Sequence, residues 1–422
     1  GVRALVEKAE GPPSEGGGGG GAAAGGGGQA QQKVTSRATP RRYDALREYG
    51  RMGVLDHGHA PPAAAVDAAT GAASTAAGSS PTAAAASANR VRSTPSPWSP
   101  LLHANAAYGL CPSYPSVLFG PTAVNDAHPD GLRLVRKVAA FRSEGRMPTL
   151  SWSSSIDGAS LWRSSQPRVG LQGNRSAADE RYLRLIGECA ANAHAESMSG
   201  GGGGGGSGKR PIPSEAFLRM LTGGANDEDL MGPQRALRRI ASSNNLLNGG
   251  TAVVAQSHHG RCLLKIMDLR PKSSAMANRT QGYGYENTTY YANSTLSFCG
   301  IGNIHAVRDA YQKMSALCLN PSSDDAKWSS SIEDTKWLSQ VRQILSASWQ
   351  ATFHVRYNRL PVLLHCSHGW DRTSQVSALA QILLDPYYRT REGFSTLVEK
   401  EFMALGHPFH TRCGHGEGRG GD

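Results

Sequence analysis

The sequence has no apolar run approaching the roughly 20 residues that span a bilayer, and no apolar signal-peptide core near its first residue. Paired cysteines are also missing, because the seven cysteines are an odd number and are scattered without a CxxC pair. This pattern argues against a disulfide framework and a structural zinc site, and it favours the cytosol. The histidines show no metal-ligand spacing, so we predict no metal and no other cofactor.

Acidic residues are scarcer than basic ones, with 33 Asp and Glu against 44 Lys and Arg and a net charge of +11. Such a charge favours an anionic partner, and nucleic acid, an acidic membrane face and a phosphorylated substrate all qualify. The basic residues are dispersed, however, and no aromatic stacking pattern alternates with them. We therefore expect no nucleic-acid binding.

Glycine is abundant, with 51 residues in a chain of 422. The Gly- and Ala-rich stretches hold too little apolar bulk to offset the entropy of ordering. On this basis we predict that residues 1–32 are disordered, that 58–97 form a low-complexity linker, and that 192–250 are a largely disordered insertion. Globular patterning is confined to 98–191 and 251–416, with short segments at 33–57 and 417–422 outside them.

The second globular segment alternates patterns typical of strands with patterns typical of helices. Apolar runs predict strands at 261–268 and 360–365, and helical spacing of apolar residues predicts helices at 305–319, 334–357 and 372–384. Alternation of this kind favours an α/β fold with a central, mostly parallel sheet flanked by helices.

Between the last predicted strand and helix lies the string His-Cys-Ser-His-Gly-Trp-Asp-Arg-Thr at 365–373. A thiol at Cys366 would be acidified by loop amides and the helix dipole, which makes it a nucleophile. Arg372 can bind two phosphate oxygens, and Asp371 is the candidate general acid. A cysteine after an apolar strand is usually a buried core residue, but the glycine and the amphipathic helix that follow favour phosphate chemistry.

The same string resembles the catalytic loop of the myotubularin phosphoinositide 3-phosphatases, HCSDGWDRT, and agrees with it at eight of nine positions. The similarity covers about 98–190 and 255–416, with ordered matches in the runs LCPSYP, FRSEGRMPTLSW, SQP, DLRP, GIGNIH and DPYYRT. The resemblance implies a cysteine-dependent phosphatase fold. It also implies that 33–57 are an end fragment of an N-terminal lipid-binding domain and that 417–422 are a truncated tail.

The resemblance further implies which residues contact the substrate. Cys366, Asp371 and Arg372 match the family's catalytic positions. The matched substrate-binding positions are Ser367, His368, Gly369, Trp370, Asp371, Arg372, Asn278, Asn303 and Arg412. Taken alone, Asn278 and Asn303 are more typical of turn or helix-capping residues.

Two departures from the family pattern bear on activity. His368 stands where the family has an aspartate, so an imidazole beside the phosphate is expected to strengthen phosphate binding and slow turnover. Pro408 stands where the family has Lys or Arg in the run GHxFxxR, which weakens the expected 5-phosphate pocket.

The leading hypothesis is removal of the 3-phosphate from phosphatidylinositol 3-phosphate, with the 3,5-bisphosphate as a second substrate. The alternatives are a protein tyrosine phosphatase, which uses the same chemistry, and an inactive phosphoinositide-binding scaffold. The resemblance implies a cytoplasmic enzyme peripheral to endosomal-type membranes. It also implies homo- or heterodimers with related phosphatases as partners.

Overall fold

The computed structural model describes residues 43–55, 95–199, 256–257, 260–261, 263–319 and 327–413. The predicted disordered segment 1–32 and the tail 417–422 lie outside the described residues, as do most of 58–97 and 192–250. The predicted insertion starts inside a helix, because residues 192–199 continue the helix that begins at Ala177.

The centre of the fold is a five-stranded sheet with the order β3-β4-β9-β7-β8. The pair β3 and β4 is antiparallel, whereas β4, β9, β7 and β8 run parallel to their neighbours. In chain order the described strands are β1 (Trp98–Leu101), β2 (Leu118–Pro121), β3 (Thr149–Ser153), β4 (Ser160–Ser164), β5 (Gln256–Ser257), β6 (Gly260–Arg261), β7 (Leu264–Asp268), β8 (Ser294–Phe298) and β9 (Val362–His365). The predicted mostly parallel sheet is confirmed.

Helices flank this sheet. In chain order the described α-helices are α1 (Ala45–Arg51), α2 (Pro129–Phe141), α3 (Ala177–Ser199), α4 (Lys272–Ala277), α5 (Ile304–Leu319), α6 (Trp328–Thr335), α7 (Trp337–Arg356), α8 (Arg372–Leu384), α9 (Arg391–Val398) and α10 (Phe409–Arg412). Short 3-10 turns occupy Ser143–Gly145, Asn278–Gln281 and Pro386–Arg389, and a π-helix occupies Glu399–Ala404.

The central strand β9 and the helix that follows it match their predicted positions. Val362, Leu363 and Leu364 are fully buried, as expected for a strand covered on both faces. Helix α8 begins at Arg372 and ends at Leu384, one residue before the Asp385-Pro386 pair that cannot continue it. It packs against α7 and β9, so the loop between β9 and α8 is anchored at both ends.

The predicted helix over 334–357 is two helices instead of one. Lys336 adopts a left-handed conformation with φ of 62°, which ends α6 and lets α7 begin at Trp337. A lysine gives no helix-breaking signal, unlike glycine or proline, so the periodicity continues across the break.

The short segment 43–55 packs into the same core as the sheet. The ring of Tyr49 stacks on Phe119 with centroids 3.7 Å apart, and its hydroxyl donates to Leu150 O at 2.5 Å. Arg51 pairs with Asp385 at 3.0 Å. That this segment closes a lipid-binding domain stays a prediction.

Candidate active site

The loop 366–372 lies at the carboxyl end of the parallel strands. His365, the last residue of β9, is paired with Ser164 of β4 on one side and with Asp268 of β7 on the other. The carboxyl ends of neighbouring parallel strands meet at one edge of a sheet, which is where α/β proteins bind ligands. Cys366 therefore begins its loop at the edge where such sites form.

The thiol of Cys366 is 2% exposed and receives a hydrogen bond from Thr373 Oγ1 at 3.3 Å. Burial alone would raise the pKa of this thiol. The Arg372 charge and the hydrogen bonds from Thr373 outweigh that effect, so the pKa lies below its ordinary value. A thiol of this kind reacts as a thiolate nearer to neutral pH.

Arg372 opens helix α8 with its guanidinium turned back along the loop. Its Nη1 donates to Ile301 O at 3.2 Å, and its Nη2 lies 3.4 Å from Ser367 Oγ. The side chain is half-buried, so a planar donor fork is available beside the thiol. Such a fork matches two oxygens of a phosphate.

The carboxylate of Asp371 contacts residues of the segment 407–412. Arg412 Nε donates to Asp371 Oδ1 at 2.8 Å, and Arg412 Nη2 donates to Asp371 Oδ2 at 3.1 Å. His407 Nδ1 lies 3.6 Å from the same carboxylate and 3.2 Å from Trp370 O. Burial lowers the pKa of His407, although the Trp370 carbonyl and Asp371 oppose this, so the neutral imidazole is favoured. Thus Arg412, predicted as a headgroup contact, is paired with the predicted acid in this structure.

The side chain of His368 packs against Trp370 of the same loop and contacts Ser143. Its ring lies over Trp370 with centroids 4.8 Å apart, and its Nδ1 is 2.9 Å from Ser143 Oγ. Burial lowers the pKa of this imidazole, while Glu144 and Asp371 act in the opposite direction. The neutral form is therefore favoured, and the predicted effect of His368 on a bound phosphate stays a prediction.

Gly369 is the residue whose conformation the loop requires. Its φ is +75°, and a Cβ at this position would lie 2.4 Å from Ser164 O. Any other residue would be strained and would collide with the β4 backbone. The close approach of the loop to β4 therefore depends on this glycine.

Asn278 lies near the start of the loop, at the end of α4. Its side-chain amide is 2.9 Å from Gln166 Oε1 and 3.4 Å from Ser367 Oγ. Gln166 also donates its backbone N–H to Ser367 O at 3.0 Å. The structure thus brings the predicted Asn278 and Ser367 together, with Gln166 between β4 and the loop.

Asn303 is placed differently from Asn278. Its Oδ1 accepts from Ala306 N at 3.0 Å, which caps the N-terminus of α5. It lies two residues beyond Ile301, whose carbonyl accepts from Arg372. The capping role expected for an isolated asparagine is therefore present, and any headgroup contact would come in addition.

Three buried residues that contact the loop were not predicted from the sequence. Arg146 Nη2 and Arg163 Nη2 both donate to Gly369 O, at 3.2 and 2.9 Å. The third is Gln166, whose backbone N–H donates to Ser367 O. An arginine directly after two large apolar residues, as Arg163 is after Leu161 and Trp162 in β4, signals a buried polar contact. That signal was available in the run Ser160–Ser164.

A buried ion pair lies directly behind Cys366. His365 Nε2 is 3.0 Å from Glu286 Oε2, and Glu286 Oε1 accepts from Arg142 Nη1 at 2.6 Å. Burial opposes the charge on both groups of the first pair. Their mutual attraction prevails, so the pKa of His365 is raised and that of Glu286 is lowered. The pair ties the end of β9 to the segment around Glu286.

A family model described as "Myotubularin-like phosphatase domain" matches residues 72–421. The chain belongs to this family. Among curated proteins, this myotubularin-like chain is 36% identical over 316 residues to "Phosphatidylinositol-3,5-bisphosphate 3-phosphatase MTMR4" of Mus musculus. It is 33% identical over 313 residues to "Myotubularin" of Xenopus laevis.

The alignments cover most of this myotubularin-like chain but a minor part of those relatives. They span 75% of this chain and 24% of the mouse protein, and 74% of this chain and 40% of the Xenopus laevis protein. Within the described part of the chain, no helix combines the length and apolarity needed to cross a membrane.

Proposed function

We propose that this chain removes the 3-phosphate from phosphatidylinositol 3-phosphate, and from the 3,5-bisphosphate as a second substrate, through a phosphocysteine intermediate. The observation that carries the proposal is the thiol of Cys366, buried at the carboxyl edge of the sheet with a lowered pKa and flanked by Arg372 and Thr373. The relative named as a 3,5-bisphosphate 3-phosphatase supports the choice of substrate class.

In the first step, the thiolate of Cys366 attacks phosphorus while Arg372 holds two of the phosphoryl oxygens. The backbone N–H groups of Ser367, His368, Gly369 and Trp370 would bind the remaining charge, as amides do at the start of a helix. Asp371 protonates the departing inositol oxygen and then removes a proton from the water that hydrolyses the phosphocysteine.

The pairing of Asp371 with Arg412 adds a condition to this sequence. Arg412 donates to both carboxylate oxygens, so one oxygen must be released before Asp371 can carry and donate a proton. A headgroup phosphate competes for the same guanidinium, because arginine binds phosphate and carboxylate with the same fork. Substrate binding would thus free the acid, and this agrees with the predicted headgroup role of Arg412.

The remaining headgroup contacts concern which phosphoinositide is preferred. We propose that Asn278, which lies beside Ser367, binds an inositol hydroxyl, and that Asn303 reaches the ring from the α5 cap. Pro408 is the N-cap residue of α10, at a position where the resemblance implies a cation. A 5-phosphate would lose one charge-assisted contact there, so we propose weak discrimination in favour of the bisphosphate.

The setting of the enzyme is part of the same proposal. We place it in the cytoplasm, peripheral to endosomal-type membranes, with homo- or heterodimers of related phosphatases as its partners. The division of the chain into a first part at 98–191, an insertion at 192–250 and a catalytic part at 251–416 goes with it. The net charge of +11 supports attraction to an anionic membrane face.

The test is phosphate release from short-chain phosphoinositides that carry a phosphate at position 3, 4 or 5 alone, or at 3 and 5. We expect release only from substrates with a 3-phosphate, and none from the Cys366→Ser variant. A phosphotyrosine peptide is included as the competing substrate. Hydrolysis of the peptide at an equal or higher kcat/KM would favour a protein tyrosine phosphatase instead.

A second measurement addresses the scaffold alternative. Headgroup binding is followed by calorimetry in the parent chain, alongside the release assay. Binding of a 3-phosphorylated headgroup without release of phosphate between pH 5.5 and 7.5 would support an inactive scaffold and would contradict the proposed hydrolysis.

A further inference from the structure

One carbonyl of the 366–372 loop is held by two arginines that are fully buried. Arg146 Nη2 and Arg163 Nη2 donate to Gly369 O from 3.2 and 2.9 Å. Both residues are 0% exposed. Burying a guanidinium costs several kcal/mol unless its donors are satisfied. Because two buried guanidinium groups donate to Gly369 O, we infer that the orientation of this carbonyl matters for function.

The other partners of the two arginines fix them in place. Arg146 Nη1 donates to Ser113 Oγ at 2.7 Å, its Nη2 also donates to Leu405 O at 2.8 Å, and its guanidinium lies 4.3 Å from the centre of the Tyr114 ring. No carboxylate is paired with Arg146 among the described residues. The guanidinium is thus held by neutral groups on segments far from the loop in sequence.

Arg163 is fixed by a different set of groups. Its Nη1 donates to Glu401 Oε2 and Glu401 O, both at 2.7 Å, and its Nη2 donates to Ser374 Oγ at 2.8 Å. Ser374 in turn donates to Trp370 O at 2.6 Å. Neither guanidinium can follow the loop if the loop changes shape, because each has firm partners outside it.

The position of Gly369 O determines the direction of the next N–H group. A peptide unit is planar, and the described residues contain no cis peptide bond, so Trp370 N–H points away from Gly369 O and from the two arginines. Gly369 has a φ of +75° and no Cβ. Such a residue allows its peptide unit to rotate, and a flip would present a carbonyl oxygen where a phosphate needs a donor.

We propose that Arg146 and Arg163 are positioning residues that lock the peptide between Gly369 and Trp370 with its N–H directed to the phosphate site. Neither residue touches the phosphate. They keep the loop assembled as an anion cradle before substrate arrives, so no binding energy is lost on ordering it. The inference rests on the proposed function and names what pre-organises that site.

The test measures vanadate binding, which needs the cradle but no lipid, together with alkylation of Cys366 by iodoacetamide at fixed pH. Arg146→Lys and Arg163→Lys keep a charge but lose the forked contact, so each should weaken vanadate binding by at least about tenfold. The alkylation rate should fall by a smaller factor than vanadate affinity, because the thiolate keeps the hydrogen bond from Thr373 and the charge of Arg372. The double variant should lose less than the sum of the single losses, because both residues act on one carbonyl.

The matched control is Arg142→Lys. Arg142 is equally buried but pairs with Asp179 and Glu286 rather than with a loop carbonyl. It should lower the melting temperature without changing vanadate affinity. The positioning role is overturned if Arg142→Lys weakens vanadate binding as much as Arg146→Lys. It is also overturned if Arg146→Lys and Arg163→Lys both bind vanadate like the parent.

A milder variant serves if the arginine variants do not fold. Ser113→Ala lies outside the 366–372 loop and removes only one hydrogen-bond partner of Arg146. We expect vanadate affinity to fall by about two- to fivefold, which is less than the tenfold that corresponds to about 1.4 kcal/mol. Unchanged affinity would contradict the proposal. A parent chain that binds no vanadate would overturn the proposed function as well, whereas normal parent binding with unaffected variants would overturn the positioning role alone.

Discussion

Two sets of residues hold the 366–372 loop in contrasting ways. The first set, the floor, consists of Cys366, Thr373, Arg146 and Arg163, all 2% exposed or less. The second set, the rim, consists of Asp371, His407 and Arg412, whose side chains are 15–21% exposed. The floor is attached to the sheet and α8, whereas the rim depends on the four-residue helix α10.

This difference separates two tasks within one site. The floor sets the reactivity of the thiol and the shape of the cradle, and its contacts lie in a medium where water and salt do not weaken them. In the proposed mechanism the rim supplies the proton and binds the headgroup, so its contacts would have to exchange during turnover. We expect changes in the floor to act steeply and independently of salt, and changes in the rim to act gradually with pH and salt.

The largest effect is expected from Cys366→Ser. A hydroxyl nearly matches the thiol in size but is far less acidic, so no nucleophile forms. Phosphate release from phosphatidylinositol 3-phosphate should fall below detection while headgroup binding by calorimetry stays within about threefold of the parent, since the cradle donors remain in place. Turnover close to the parent rate would remove Cys366 from the mechanism.

Arg372→Lys, at the half-buried arginine between floor and rim, should rank next. Lysine keeps the charge but presents a point cation, so it cannot hold two phosphoryl oxygens at once. We expect kcat/KM to drop by about a hundredfold, or ~2.7 kcal/mol of barrier. A drop of less than about tenfold would show that Arg372 does not contact the transferring group.

Arg412→Gln moves the comparison to the rim. The variant frees Asp371 but removes a cation from the headgroup, and a charge-assisted contact in a partly buried site contributes about 1.5–3 kcal/mol. We expect kcat/KM to fall by about tenfold or more, mainly through KM. The loss should shrink as salt rises from 50 to 500 mM, because the parent's partly exposed contact is screened. A loss that does not depend on salt would show that the contact of Arg412 behaves like the buried contacts of the floor.

Thr373→Val removes the hydroxyl that donates to Cys366 Sγ, with little change in volume. The pKa of the thiol lies below its ordinary value partly because of this bond. Without it the pKa rises, so the acidic limb of the rate profile moves to higher pH. We expect about a tenfold loss of kcat/KM at pH 5.5 that disappears as pH rises. Thr373→Ser keeps the hydroxyl and should follow the parent profile; a uniform loss at all pH values would indicate a packing defect instead.

Sequence patterns predicted the position of the loop better than the contacts that surround it. The limits of α8 and the position of Cys366 after β9 follow from local rules about strands and helix starts. The pairing of Arg412 with Asp371 does not, because it joins residues 41 positions apart through a fold that no local rule describes.

The buried arginines show a second limit of local patterns. Arg146 and Arg163 stand in runs that resemble the family, but nothing in those runs says that both reach one carbonyl. The break at Lys336 was equally invisible, because a left-handed lysine is stabilised by its neighbours rather than by its own preference.

The smallest effect is expected at His368, whose ring contacts Ser143 Oγ and the ring of Trp370. Burial lowers its pKa, so the free protein carries a neutral imidazole at neutral pH. His368→Gln keeps a neutral hydrogen-bonding group, and kcat/KM at pH 7.5 should stay within about twofold. A bound phosphate dianion favours the cation, so the two proteins should diverge as pH falls.

The measurement that separates them is competitive inhibition by inorganic phosphate at pH 7.5 and 5.5. The parent should bind phosphate more tightly at pH 5.5 relative to His368→Gln, by about two- to threefold, because only the parent gains a proton next to the anion. His368→Asp, which adds a negative charge beside the phosphate, should weaken inhibition at both pH values. If parent and His368→Gln show the same pH dependence, the imidazole does not meet the phosphate, and its contacts with Ser143 and Trp370 serve the shape of the loop alone.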